Sequence, residues 1–509
     1  MAVLSGLEPE KVFYFFEELC KIPHGSGDTK RISDYCVAFA KERGLDHWQD
    51  EHNNVIIWKN GTKGCENKPW VMLQGHMDMV CEKEEGCSID FTKDGLALRV
   101  ENGMITAEGT TLGGDDGIAV AMTLALLDAD DITHPPLEAV FTVDEEIGML
   151  GAAALDMGKL RSKIMINMDS EDEGFLLVSC AGGVTAKCEL PVKREAFPGV
   201  SVSVTVEGLL GGHSGQEIDK GRANANVLLG RALSTLQSKV DLRLQTLGGG
   251  NKDNAIPRRS EALIVVKDEA AAEEVCALTK ELCMTVRAEY AKTDPDAGVF
   301  AKILHDTPAS QAPMDESATK RTIAMLRLLP QGIQRMSADV KGLVQTSLNL
   351  GILKDESQGD SLMRDFQENP ARPLTRDRKD EGEVVGAGFS VRSSVDSEKE
   401  ELCNRLETLM EVLDGSVSYS GAYGAWQYRA DSPLREKMLE TYRELFQKDM
   451  TVYAIHAGVE CGLFSSGIPG LDAVSIGPEM KDIHTPQERL EAASVARTWE
   501  FLLAVLRKL

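Results

Sequence analysis

Nowhere in this 509-residue chain does an uninterrupted apolar run approach the roughly 20 residues that a membrane-spanning helix requires. That excludes a helical membrane protein. The chain start also lacks the apolar core of a secretory signal: Met1 to Leu7 is short, and Glu8, Glu10 and Lys11 interrupt it. The eleven cysteines include no Cys-X-X-Cys pair, which predicts reduced, mostly buried thiols in a cytoplasmic protein. Basic residues are scarce. With 55 Lys and Arg against 81 Asp and Glu, the net charge of −26 argues against nucleic acid or an anionic membrane as the main partner. What remains is a large soluble chain, long enough for two or more domains with sizeable cores.

The feature that carries chemistry is a series of apolar segments ending in polar ligands. Residues 70–74 read as a buried strand that stops at Gly75-His76-Met77-Asp78. Alternation along an extended chain puts His76 and Asp78 on one face. There the carboxylate can accept the proton of one ring nitrogen and leave the other for a metal. Four further endings follow: Gly113-Gly114-Asp115-Asp116-Gly117 before a helical 118–127, Asp144-Glu145-Glu146 after a strand 137–143, Asp169 after a strand 164–168, and His484-Thr485-Pro486 after a strand 473–476. An acidic cluster alone is usually solvated surface. Sites in open α/β sheets gather at the carboxyl ends of strands, however, and five such endings coincide here. Two histidines and three carboxylates suit a divalent ion, zinc above all. Cys81 beside His-X-Asp is the one candidate reactive thiol, with packing as its ordinary role.

Taken in order, these motifs resemble the co-catalytic zinc exopeptidases, a family that includes aminoacylases, carboxypeptidases and dipeptidases. Within it the chain is most similar to the bacterial aminoacyl-histidine dipeptidase branch, over residues 7–509. The resemblance implies two divalent metal ions per chain, Zn²⁺ first, with Co²⁺ or Mn²⁺ as substitutes. Asp115 would bridge them; His76 and Asp169 would complete one site, Glu146 and His484 the other. Asp78 would hold the His76 ring, and Glu145 would be the general base for a bridging water. His213 in Gly211-Gly212-His213-Ser214-Gly215 and Asn254 would steady the oxyanion. Arg392, with backbone near Gly458 in His456-Ala457-Gly458-Val459-Glu460-Cys461-Gly462, would hold the substrate's C-terminal carboxylate. Read without the resemblance, His213 and Asn254 are ordinary turn residues and Arg392 a surface ion pair. The family also commonly has a cis peptide after the bridging aspartate, here Asp115–Asp116.

The expected fold class is α/β: a discontinuous zinc-exopeptidase catalytic domain, with a mixed, mostly parallel sheet between helices, interrupted by an inserted α+β lid domain. Residues 1–191 form its first part, 192–423 the lid and 424–509 its second part, because His484 must join His76 at one metal centre. The acidic segment 355–383 is given no catalytic role. The expected partners are dipeptides, with no nucleic acid and no membrane; a homodimer is left open. The resemblance points to L-dipeptides with both termini free, Xaa-His among them. Asp at the Asn167-Met168-Asp169 position goes with free-amine substrates in the family, and Glu with deacylases and carboxypeptidases. An N-acyl amino acid deacylase or carboxypeptidase is the alternative on this scaffold. A catalytically silent binding protein would show eroded ligands, yet the full ligand set, Asp78 and Glu145 are present.

Overall fold

The structure, a computed structural model, describes residues 2–305, 311–355 and 382–509. Most of the acidic segment, 356–381, lies outside the described residues. The chain forms two compact units. The first comprises Met1–Cys180, Trp426–Ile455 and Val459–Leu509; the second comprises Ala181–Ala425 and His456–Gly458. Strand Gly182–Pro191, assigned to the first part in the sequence reading, pairs with Val384–Ser393 and Ser416–Tyr423 and so belongs to the second unit's sheet.

Among the described residues the first unit is built on an eight-stranded sheet. Its order is Asp46–Gln49, Val55–Lys59, Leu137–Thr142, Val71–His76, Ile164–Asn167, Asp472–Ser475, Phe175–Cys180, Thr451–Ile455. The four strands from Leu137–Thr142 to Asp472–Ser475 run parallel, and antiparallel pairs flank them. Strand Val71–His76 is buried along its whole length, so it reads as a continuous apolar run rather than an alternation. Helix Glu10–Cys20 packs Val12, Phe13, Phe16 and Leu19 into the same core as Ile118, Leu124 and Leu126 of the fully buried helix Gly114–Asp128. The Asp115–Asp116 peptide is cis, and both residues depart from helical angles, so regular helix begins after Asp116.

A smaller four-stranded sheet orders Met480–Lys481, Arg489–Glu491, Met104–Ala107 and Leu98–Glu101. Its first two strands form a hairpin whose connection carries His484 and Glu488.

Among the described residues the second unit is built on a nine-stranded antiparallel sheet with helices Ala225–Gln237, Glu269–Glu289, Glu316–Leu328 and Asp396–Val412, packed around an apolar cluster. Within residues 255–266 there are two strands: Ala255–Ile256 pairs with Gly212–His213, and Ser260–Val266 joins the large sheet. Pro257, which has no N–H for a ladder, stands at the break.

Candidate active site

The parallel strands bring the candidate residues to one edge. His76 ends its strand, Glu145 and Glu146 follow Leu137–Thr142, and Asp169 follows Ile164–Asn167. His484 Nε2 lies 3.1 Å from Asp115 Oδ2 and 3.0 Å from Glu146 Oε1. His76 Nε2 lies 3.1 Å from Asp115 Oδ1 and 3.7 Å from Asp169 Oδ1. Asp115 thus offers one oxygen to each histidine. Among the described residues side-chain donors form three groups able to hold a cation: Asp115, Glu146 and His484; His76, Glu145 and Glu146; and His76, Asp116 and Asp169. Zinc–ligand bonds of about 2.0–2.2 Å in a tetrahedron place ligand atoms about 3.3–3.6 Å apart, so these separations and this nitrogen-and-oxygen donor set fit such an ion.

The electrostatics call for positive charge. Burial pushes Asp169 well above the carboxylate range, with Asp116 and Asp115 adding to it. Burial likewise lifts Glu145 to about 8, opposed by His76 and reinforced by Glu460 and Glu146. Burial opposes protonation of His76, yet its bonds with Asp115 and Asp78 hold it well above the ordinary imidazole value. Hydrogen bonds to the Asp115 and Glu146 carboxylates lift His484 to about 10. Asp115 stays below its usual range despite burial, because both histidines face it. Carboxylates outnumber histidines here, and cations would relieve that imbalance.

Asp78 is placed differently from the simple His-X-Asp expectation. The nearer acceptor for His76 Nδ1 is the main-chain carbonyl of Asp78 at 2.9 Å, while the carboxylate Oδ1 stands at 3.4 Å. That carboxylate accepts the N–H groups of Glu145 at 3.1 Å and Glu146 at 3.4 Å, and the Ser26 hydroxyl at 2.8 Å. It therefore holds the loop bearing both glutamates as well as facing the ring.

Three buried acids escaped the sequence reading. Asp116 Oδ2 accepts the His76 N–H at 3.3 Å, and a side chain at Gly75 would run into this carboxylate, which explains the glycine. Glu488 accepts N–H groups from Leu112 (2.7 Å) and Gly113 on one oxygen and from Gly114 (2.8 Å) and Asp115 on the other. It caps the turn that carries Asp115. Glu460, fully buried, takes bonds from Gln74 and from Thr142 (2.7 Å), and Gln74 accepts from Asn167 at 2.6 Å. Glu460 stood in the motif that supplied Gly458, and its charge inside an otherwise apolar run was the available signal.

In the second unit, His213 and Asn254 come together: His213 pairs with Ala255, and the Ser214 N–H donates to the Asn254 carbonyl at 2.9 Å. His213 Nδ1 accepts N–H groups from Gly215 at 3.3 Å and Gln216 at 3.0 Å, which leaves the ring proton on Nε2. Burial, with Arg392 nearby, lowers the pKa of this ring and keeps it neutral. The Arg392 side chain is buried rather than in the surface ion pair that its sequence context alone suggests. Gly458 packs its backbone against the Tyr423 ring.

A buried nest of carboxylates and histidines at the ends of parallel strands is the arrangement of a metal-dependent hydrolase. Comparison with known proteins agrees. The family model of Peptidase family M20/M25/M40 matches residues 72–508, so this chain belongs to that family and is an enzyme that hydrolyses peptides. The cytosol non-specific dipeptidase of Escherichia coli (strain K12) is 36% identical over 515 residues, covering 100% of this chain and 99% of that protein. The crystal structure of aminoacylhistidine dipeptidase from Vibrio alginolyticus superposes with a TM-score of 0.89 at 34% identity, covering 99% of this chain and 98% of that one. Aminopeptidase PepT from Bacillus cereus ATCC 10987, at 15% identity and a TM-score of 0.55, shares the fold.

Proposed function

We propose that this enzyme hydrolyses L-dipeptides with both termini free, Xaa-His among them, in a metal-dependent reaction at the His76, Asp115, Glu146, Asp169 and His484 cluster. The observation that carries the reading is Asp115, whose two carboxylate oxygens each stand 3.1 Å from a different histidine. One side chain set between two nitrogen donors is what a pair of ions sharing a ligand requires. The names of the two full-length relatives support the substrate class, and the E. coli relative's name supports a cytoplasmic setting. No helix among the described residues is long and apolar enough to cross a membrane.

Two zinc ions, held by Asp115 between them, by His76 with Asp169 and by Glu146 with His484, would polarise the scissile carbonyl and lower the pKa of a nucleophilic water. Glu145 takes the proton of the attacking water at its carboxylate and returns it to the leaving amine. Its main chain is fixed by Asp78, and among the described residues no hydrogen bond holds its side chain, which suits a proton carrier. Neutral His213 donates from Nε2 to the developing oxyanion, with Asn254 beside it. Asp169, one methylene shorter than a glutamate, leaves a carboxylate oxygen for the substrate ammonium. Arg392 and the backbone at Gly458 take the C-terminal carboxylate. The second unit is the inserted lid domain of this plan.

The test is a substrate panel run with metal quantification. Free dipeptides should be hydrolysed far faster than tripeptides or N-acetyl amino acids, chelation should abolish turnover, and Zn²⁺ should restore it. N-acetyl amino acids turned over as fast as free dipeptides would assign a deacylase instead.

A further inference from the structure

The second unit's sheet carries a row of directly opposed residues on adjacent antiparallel strands. Ser347 faces Arg392, Arg392 faces Gly183, and Gly183 faces Tyr423. Opposed residues project from the same face of a sheet. Gly183 projects nothing, and Arg392 reaches across the gap so that its Nη1 donates to the Tyr423 hydroxyl at 3.1 Å. Two glycines fix the Tyr423 ring. A Cβ at Gly183 would lie 2.6 Å from the Tyr423 hydroxyl, and a Cβ at Gly458 would lie 2.6 Å from its Cε2. The ring therefore occupies a slot that neither strand nor loop could close with a larger residue.

Arg392 is only 9% exposed, and its Nε has no hydrogen-bond partner. Among the described residues no carboxylate pairs with it. Its titratable neighbours add no countercharge. His456, bonded to Ser347 Oγ at 2.7 Å, is driven down to about 3 by burial and by the Arg392 charge, and is neutral. A buried cation left without an anion is costly, so this one is built for an anion that arrives with a ligand. With Nη1 tied to Tyr423, the edge that carries Nε and Nη2 is the one left to grip a carboxylate with two parallel bonds.

We infer that Tyr423 is the positioning residue for Arg392, holding the far corner of the guanidinium so that its open edge meets the substrate's C-terminal carboxylate. This inference rests on the dipeptidase reading above, and nothing in the sequence pattern marks Tyr423 for it.

The experiment compares a dipeptide with its C-terminal amide on the wild type, Tyr423→Phe, Arg392→Ala and the double variant. Phenylalanine keeps the ring in its slot, so the fold is retained. The ratio of kcat/KM for free dipeptide over amide should fall about tenfold in Tyr423→Phe, mainly through KM, as expected for losing a hydrogen bond to a charged group. In the Arg392→Ala background, removal of the hydroxyl should leave the ratio unchanged. Equal losses on both substrates, or a full loss that persists without Arg392, would overturn the inference and make Tyr423 a packing residue. A wild type that does not discriminate acid from amide would overturn the assignment of Arg392 itself.

Discussion

Glu488 offers the sharpest test of how Asp115, the proposed bridging ligand, is held. Its two oxygens accept four main-chain N–H groups from residues 112 to 115, and the bonds from Leu112 at 2.7 Å and Gly114 at 2.8 Å are the short ones. Hydrogen bonds to a charged acceptor contribute about 1.5–3 kcal/mol each, so the two short bonds are worth roughly 3–6 kcal/mol before costs. Burial pushes the Glu488 carboxyl above its ordinary range, which means that placing the charge here is itself unfavourable and the net value lies near the lower bound. Glu488→Gln keeps one acceptor but turns an NH₂ toward N–H donors; it should cost about 2 kcal/mol. Glu488→Ala leaves buried donors unpaired and should cost about 4 kcal/mol, a large share of a typical folding free energy. All five tryptophans, Trp48, Trp58, Trp70, Trp426 and Trp499, lie in the first unit, so intrinsic fluorescence during denaturant unfolding follows that unit alone. Because the same turn carries Asp115, metal content after mild chelation should fall in parallel. Unfolding at the wild-type denaturant concentration, with wild-type metal retention, would refute the cap.

Glu145→Gln should lose roughly 10²–10⁴-fold in kcat while retaining metal and fold; near-normal turnover with intact metal content would remove Glu145 as the base. Asp78→Asn should weaken metal retention and turnover together, since it loosens the loop N–H groups of Glu145 and Glu146 as well as the His76 ring; metal titration checks this. Glu460 gives a pH signature: burial pushes its carboxyl up to about 7 from the ordinary 4.5. The folded state then holds a proton that the unfolded chain has released. Stability of the metal-free protein should therefore decline as pH rises from about 4.5 to about 7 and level off above, by on the order of 3 kcal/mol. Glu460→Gln should flatten that slope, and an unchanged fluorescence-monitored profile would contradict it.

The strands that end at the candidate ligands were legible because each is an apolar run that stops abruptly at a charged or small residue. Strand 137–143 became Leu137–Thr142 and strand 164–168 became Ile164–Asn167. Amphipathic helices carry an equally plain pattern: Glu10–Cys20 places Phe13, Phe16 and Leu19 on one buried face. Short or edge strands were not. Thr451–Ile455 has no apolar run beyond ordinary loop length, and Gly332–Met336 is mostly exposed and pairs with one neighbour, so tertiary hydrogen bonding rather than local pattern makes it a strand. The first boundary was misplaced for a related reason. Gly182–Pro191 continues the strand-rich style of what precedes it, and only its partners, far along the chain, assign it to the second sheet.

Ligands and their supports differ in how they announce themselves. Most candidate ligands sit at or just after a strand end, where a charge follows apolar residues and a pattern can be read. A support sits wherever the fold brings it, and its meaning lies in a partner hundreds of positions away: Glu488 with Leu112, Glu460 with Gln74 and Thr142. In sequence each is one glutamate among many in an acidic chain. In the fold each is a buried acid whose desolvation must be offset by donors aimed at it, and those donors belong to the residues that carry the ligands. Excess negative charge around His76 and Asp115 has a use in this light. Asp116, Glu460 and Glu488 fix backbone and strand positions, and burial raises the carboxyl pKa of each, so a cation beside them would favour their charged forms and one set of side chains both shapes the site and responds to the charge of what enters it.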